Sequence, residues 1–270
     1  LSFESFSLTL PRNSFSVRDA ARAGDVWRAF QDAAVLGSSR RGWHPSRYQK
    51  ENCAFVVRRQ TVVHHRESRF GEPIDGSTWV EQFRRGMFST RQIHFEVDGK
   101  PLAEATQEWV HVSTDGGVMR ASRASKALLS SFEEHPTDSL VELPAYEAVD
   151  PGPEHSFGFS AWFTWMDPLD HANHPAYVDW IDEAVSRVMH RRGLNPVDLV
   201  PVAEQVRFKS GVLAAEDVRV GIRLVGRTQA GDAVIGARIT RPSGLCAEAT
   251  SVRRMTGGAD ALVLALRGRS

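Results

Sequence analysis

An internal repeat limits how this chain can fold more than any other feature. Leu102–Thr106 reads LAEAT and Cys246–Thr250 reads CAEAT, 144 positions apart, and at that spacing Gly71-Glu72-Pro73-Ile74 faces Ala215-Glu216-Asp217-Val218. Upstream, Arg40-Arg41-Gly42-Trp43-His44-Pro45 faces Arg191-Arg192-Gly193-Leu194-Asn195-Pro196, 151 positions apart. Matches that keep their order at two spacings predict two copies of one unit, with seven extra residues in the first copy between Pro45 and Gly71.

The copies share an element order. Tyr177, Trp180, Ile181, Ala184, Val185, Val188 and Met189 step by three and one, the rhythm of a one-faced helix, opened by Pro175 and stopped by Gly193. Val26, Phe30, Ala33, Ala34 and Gly37 follow the same rhythm in the first copy, with Gly42 as the stop. Strand-like stretches follow each helix: 78–83, 91–97 and 103–112, then 204–209, 217–227, 233–240 and 246–254. Asp98-Gly99-Lys100 and Pro242-Ser243-Gly244 are hairpin-like turns. This predicts an α+β layout in which each antiparallel sheet wraps its helix, and pairing the copies covers a sheet edge that one copy alone would leave open. Residues 133–156 carry four prolines, seven acidic residues and no Lys or Arg, and read as a linker. The expected units are therefore 1–132 and 157–270.

Charge and composition remove several function classes. The 33 basic and 33 acidic residues cancel, which argues against nucleic acid, although 19 basic against 14 acidic residues make the first unit basic. Cys53 and Cys246 are the only cysteines, too few for a disulfide scaffold or a cysteine-built metal centre, and they fit a reducing cytoplasm. The longest apolar tail run, Ala261–Leu266, falls far short of the roughly 20 residues that span a bilayer. No basic-then-apolar signal pattern follows Leu1, so a cytoplasmic protein is expected, with a short leader ahead of Leu1 left open.

The densest set of reactive side chains, Trp165-Met166-Asp167-Pro168-Leu169-Asp170-His171-Ala172-Asn173-His174-Pro175, lies just before the second helix. A helix amino terminus offers unpaired N–H groups and a positive dipole end to a developing oxyanion. A carboxylate beside it can serve as base toward water or attack a carbonyl, and a histidine can orient or share the proton. Such a set suits acyl transfer to water. Asp, Asn and His also cap helices, but at a spacing of 151 Asp167 faces Ser16, His171 faces Ala20, Asn173 faces Arg22 and His174 faces Ala23. A purely structural cap is expected to recur in both copies, so the polar set reads as chemistry.

The run from Asp167 through His171, Asn173 and Tyr177 to Trp180-Ile181-Asp182-Glu183-Ala184 resembles the D-x-D-x-x-x-H-V-N-N-x-x-Y pattern and following helix of hotdog-fold thioesterases. Val206–Lys209 and Glu216–Val218 match that family's next strand and loop. Two hotdogs in one chain, with the polar set only in the second, look like the acyl-ACP thioesterase arrangement of plants and bacteria, and the resemblance spans essentially the whole chain. It implies Asp167 as the catalytic carboxylate, nucleophile or base, His171 as the family histidine and Asn173 as the first Asn of the pattern. The Asp-Pro pair and Pro175 are also similar to 4-hydroxybenzoyl-CoA thioesterases, which implies that the backbone N–H of His174 polarises the thioester carbonyl. The chain departs from the pattern at Trp165, Leu169 and His174, and the glutamate of the plant enzymes would fall near Ser210–Val212, where none occurs.

The resemblance implies an acyl thioester substrate on acyl carrier protein or coenzyme A, no cofactor, and a monomer or homodimer of double hotdogs. His174, Tyr177, Trp180 and Phe30 are the expected substrate contacts, the aromatic ones doubling as core. Arg40 and Arg41, with Arg47 and Lys50, are expected either to receive an acidic carrier or coenzyme A phosphates, or to form a solvated basic face. Glu183 is expected to be solvated, and His64 and His65 to lie on the surface. Metal hydrolase motifs usually supply their ligands from within a helix, so no metal is expected at Asp167, Asp170, His171 and His174. A double-hotdog hydratase or dehydratase and a non-catalytic acyl-binding protein are the alternative readings.

Overall fold

A computed structural model describes residues 3–137 and 139–268; the outer ends of the expected units at Leu1 and Ser270, and Asp138 of the acidic stretch, lie outside them. The first copy comprises β1 (Glu4–Leu8), α1 (Ala23–Arg40), α2 (Pro45–Lys50), β2 (Cys53–His64), β3 (Ile74–Arg84), β4 (Phe88–Val97), β5 (Lys100–Ser113), the short β6 (Arg120–Ala121) and α3 (Lys126–Leu129). After β7 (Tyr146–Ala148), the second copy follows as β8 (His155–Ser160), α4 (Ala176–Arg191), β9 (Leu199–Phe208), β10 (Asp217–Thr228), β11 (Ala233–Arg241), β12 (Gly244–Met255) and α5 (Asp260–Arg267). The main strands form one antiparallel sheet in the order β1-β3-β4-β5-β2-β9-β12-β11-β10, with β8 on β10. The order on one side of the β2–β9 seam is thus mirrored on the other. This is the expected double hotdog.

The seam carries the symmetry. Thr61 pairs with Gln205 across β2 and β9, and the Gln205 amide donates to Thr61 Oγ1 at 3.0 Å. These residues stand 144 apart, so a residue and its own repeat equivalent meet on the pseudo-twofold axis. At the other spacing, 151, Arg28 of α1 pairs with Asp179 of α4. The change of spacing therefore falls between the helix and the seam, where the first copy has α2 and the second only the short turn Pro196–Asp198.

Each long helix buries one face under its half of the sheet. Val26, Trp27, Phe30, Ala33 and Ala34 line α1, and Tyr177, Trp180, Ile181, Val185 and Met189 line α4. Gly37 is required by close approach, because a Cβ there would stand 2.8 Å from both Arg91 Nη1 and Thr78 Cγ2. Gly42 and Gly193, at φ 79° and 72°, end the two helices in the left-handed conformation that glycine adopts without strain. The acidic stretch runs against both copies: His135 N–H donates to Val80 O, Val141 N–H to Thr106 Oγ1, and β7 pairs with β10. No helix among the described residues is long and apolar enough to cross a membrane.

One sequence expectation is corrected here. The stretch holding His64 is not a surface insertion but the central strand β2, and His64 is 8% exposed. A strand packed on both faces loses apolar–polar alternation, which hid it. His65 is half-exposed, near Glu104.

Candidate active site

The second-copy cluster forms a tight turn closed by the Met166–Ala172 bridge. Asp167 N–H donates to His171 O at 2.7 Å, Asp170 N–H to Asp167 O at 2.9 Å, and Asp170 sits at φ 60°. Asp167 Oδ1 accepts from the N–H groups of Leu169 (2.8 Å) and His171 (3.4 Å). The same turn recurs in the first copy. Ser16 N–H donates to Ala20 O, Asp19 N–H to Ser16 O, Asp19 has φ 58°, and Ser16 Oγ accepts from Arg18 N–H at 3.3 Å. A cap is expected to recur in both copies, and it does, with serine capping one turn and aspartate the other; the inference that the polar set is not a cap because it is confined to the second copy is corrected for Asp167. The difference between the copies is a carboxylate in place of a hydroxyl.

Beyond the turn, Ala172 N–H donates to Val212 O and Asn173 N–H to Trp165 O, both at 2.8 Å, which draws the segment after β9 onto the site. The His174 backbone N–H, at the entry to α4, has no hydrogen-bond partner among the described residues. Asn173 Oδ1 is buried and likewise unpartnered. His171 lies on Gly211, where a Cβ would stand 2.1 Å from the imidazole Cδ2. The segment expected to hold the missing glutamate does reach the histidine, and glycine there leaves room for the ring. Gly211→Ala should displace the His171 ring with little change in stability. Imidazole NMR shifts beside thermal melting check this, and an unmoved ring would show that the close approach does not need glycine.

The His174 imidazole turns toward the seam, 3.2 Å from Gln60 Oε1, among Trp27, Trp109 and Phe208 with ring centroids 6.3, 6.4 and 6.0 Å away. Burial, with the Arg28 charge, pushes its pKa down to about 3, so the ring is neutral near pH 7. Tyr177 is buried against Phe208, its hydroxyl accepts from Val212 N–H at 3.2 Å, and burial raises its pKa. Trp180 is buried against Tyr177, Phe159 and Trp165. At the outer rim Trp162 stacks on Trp165 with centroids 4.8 Å apart, and Phe163 is exposed beside it.

Asp167, His171, Asn173, His174, Tyr177 and Trp180 thus gather at one end of α4. Phe30 does not join them; it stacks on Phe95 in the first-copy core at 4.2 Å. Arg40 and Arg41 pair with Glu4 at the far end of α1, about 25 Å along the helix from Ala23 at 1.5 Å per residue. Glu183 is exposed and pairs with Arg187.

A second polar group, which sequence reasoning missed, lies buried at the seam. Glu204 on β9 accepts from Trp27 Nε1 at 3.0 Å, lies 2.8 Å from His64 Nε2 and accepts from Arg253 Nη1. Arg253, fully buried on β12, also donates from Nε to Asp182 of α4 at 2.8 Å. Burial opposes the Glu204 charge, but His64 and Arg253 outweigh it and hold the carboxyl down at about 2. Burial pushes Asp182 up to about 6, against the pull of Arg253. The available signal was a lone acid within an apolar strand, Val200 to Val206, which demands a buried cation. Because the folded pKa of Glu204 lies below its ordinary 4.5, its stabilising contribution is present above that value and is lost as pH falls toward about 2. Acid unfolding should steepen in that window, and Glu204→Gln should flatten it; identical profiles would contradict the assignment.

No protein-family model and no curated protein matches the chain. Solved structures do. A protein named as an oleoyl thioesterase from Lactobacillus plantarum superposes with a TM-score of 0.78 at 18% identity, covering 94% of this chain and 96% of the other. An acyl-ACP thioesterase from Bacteroides thetaiotaomicron gives 0.71 at 13% identity over 93% and 97%, and a 12:0-ACP thioesterase from Umbellularia californica gives 0.72 at 14% over 94% of both chains. At these identities the likeness establishes the fold, two hotdogs in one chain.

Proposed function

We propose that this protein hydrolyses an acyl thioester, carried on an acyl carrier protein or coenzyme A, at the turn before α4. The observation that carries the reading is the contrast between two matching turns: Ser16 caps one, while Asp167 places a carboxylate in the other, in the segment that leads to the His174 N–H, which has no partner among the described residues. The names of the three solved thioesterases with this fold support it.

In this reading the His174 N–H receives the thioester carbonyl oxygen and stabilises the charge that develops on it. Asp167 keeps Oδ1 engaged in the turn and uses its remaining lone pairs on the substrate side. Acting as base, it takes a proton from water while the hydroxide adds to the carbonyl carbon. Collapse breaks the carbon–sulfur bond, and the proton passes to the departing sulfur. Acting as nucleophile, it adds to the carbonyl carbon and expels the thiolate to give an acyl-aspartyl anhydride; water then cleaves the anhydride to acid and free carboxylate, and its proton goes to the thiolate, with the same products. His171, seated on Gly211, orients the water or shares its proton, and Asn173 Oδ1 accepts a hydrogen bond from it.

Product identification tests this. Saturated and 2-enoyl coenzyme A thioesters incubated with the protein should yield free acid and free thiol. A hydrated thioester with no free thiol would overturn hydrolysis in favour of hydration.

A further inference from the structure

Gln60 of β2 and Gln107 of β5 are both fully buried at the seam, an unusual place for two neutral amides. Trp109 Nε1 donates to Gln107 Oε1 at 3.2 Å, Gln107 Nε2 donates to Gln60 Oε1 at 3.0 Å, and His174 Nε2 lies 3.2 Å from the same Gln60 oxygen. Gln60 Nε2 has no partner among the described residues.

The direction of this chain is set at one end. An indole N–H can only donate, so the Gln107 atom facing Trp109 must be its oxygen, and its nitrogen must face Gln60. The Gln60 oxygen then accepts twice, and the neutral His174 must carry its proton on Nε2. Turning Gln60 over to relieve its orphaned N–H would set two donors against each other at Gln107; turning Gln107 as well would repeat the conflict at Trp109. The Gln60 NH2 group therefore stays unsatisfied in the interior, a cost a folded protein rarely carries without use.

Resting on the thioesterase reading, we propose that Gln60 is a specificity residue whose free N–H binds an oxygen on the acyl chain. The substrate class is then an oxygenated acyl thioester, keto or hydroxy, rather than a plain saturated one. The His174 backbone N–H holds the thioester carbonyl, its imidazole reaches the Gln60 amide, and Trp27, Trp109 and Phe208 ring that imidazole. An acyl chain that follows the imidazole inward meets aromatic surface and a single polar point, which offers a donor. A plain chain would leave this already buried donor unpaired whereas an oxygenated one would satisfy it, and discrimination by such a group is far stronger than by fit alone.

The test uses coenzyme A thioethers, which cannot be hydrolysed, with plain alkyl chains of six and ten carbons and the same chains bearing a keto or hydroxyl oxygen at carbon 3, 5 or 7. Calorimetric titration of the wild type should find at least one oxygenated ligand about tenfold tighter than its plain counterpart. Gln60→Leu should reduce that preference to within about twofold. Trp109→Phe, which frees both amides to turn over, should lower it at least threefold and guards against misfolding of the first variant. Plain and oxygenated ligands all binding wild type within twofold, or a preference that survives both substitutions, would overturn the inference, as would failure of any ligand to bind. Loss of the thioesterase reading would appear separately, as absent thioester turnover alongside an intact binding preference.

Discussion

Asp167→Ser should hydrolyse acyl thioesters about 10²–10⁴-fold more slowly than the wild type while melting close to it, the loss expected when a catalytic carboxylate is removed. The substitution is informative because the molecule already contains its control. Ser16 caps the equivalent turn through the N–H two residues on, with the same two backbone bonds closing the turn, so a serine at position 167 has a working precedent in this fold. Loss of the cap altogether would cost on the order of 1 kcal/mol, too little to unfold a domain of ordinary stability. A variant that folds but does not turn over therefore separates chemistry from structure at this turn. Asp167→Asn separates them less cleanly, since its amide also brings a new donor into the site. If Asp167→Ser retained wild-type turnover, the carboxylate would be a cap and nothing more.

Arg253→Met should destabilise the protein by about 3–5 kcal/mol, because it strands Glu204 as a buried carboxylate without the guanidinium that pairs with it. Arg253 is fully buried and ties β12 to β9 and to α4, so the loss is felt across the seam. Adding Glu204→Gln should recover part of the loss, since the buried charge is removed and the neutral amide can still accept from Trp27 Nε1 and His64. Chemical denaturation of the two single variants and the double variant measures this coupling. Additive losses would mean that Arg253 acts through packing rather than charge.

Much of the architecture is legible in the sequence because repetition is a global signal. The two spacings, 144 and 151, imply two copies of one unit and a seven-residue difference between Pro45 and Gly71; which residues meet across the copies, Thr61 with Gln205 and Arg28 with Asp179, is seen only in the structure, where the pairs keep those spacings. Local patterning does less well where the chain is buried on both sides. β2 carries no clean alternation, so His64 reads as a surface residue although it bonds Glu204 in the interior. The polar cluster is legible as a set of residue types, but its geometry is not. Ser16 and Asp167 cap alike through different atoms, a likeness that depends on backbone conformation and not on residue identity. The Gln60–Gln107–Trp109 relay brings together side chains from two strands and meets a histidine from the other copy, a contact no sequence spacing encodes.

Free-thiol release from a panel of acyl-coenzyme A and acyl-carrier-protein thioesters, followed for wild type, Asp167→Ser and Ser16→Ala at equal protein concentration, bears most directly on where the chemistry lies. Wild type and Ser16→Ala should turn over the same substrates at similar rates, with Asp167→Ser lower by about 10²–10⁴-fold. Folded wild type that releases no thiol from any member, or equal losses in the two variants, would contradict a thioester hydrolase acting through the second turn alone.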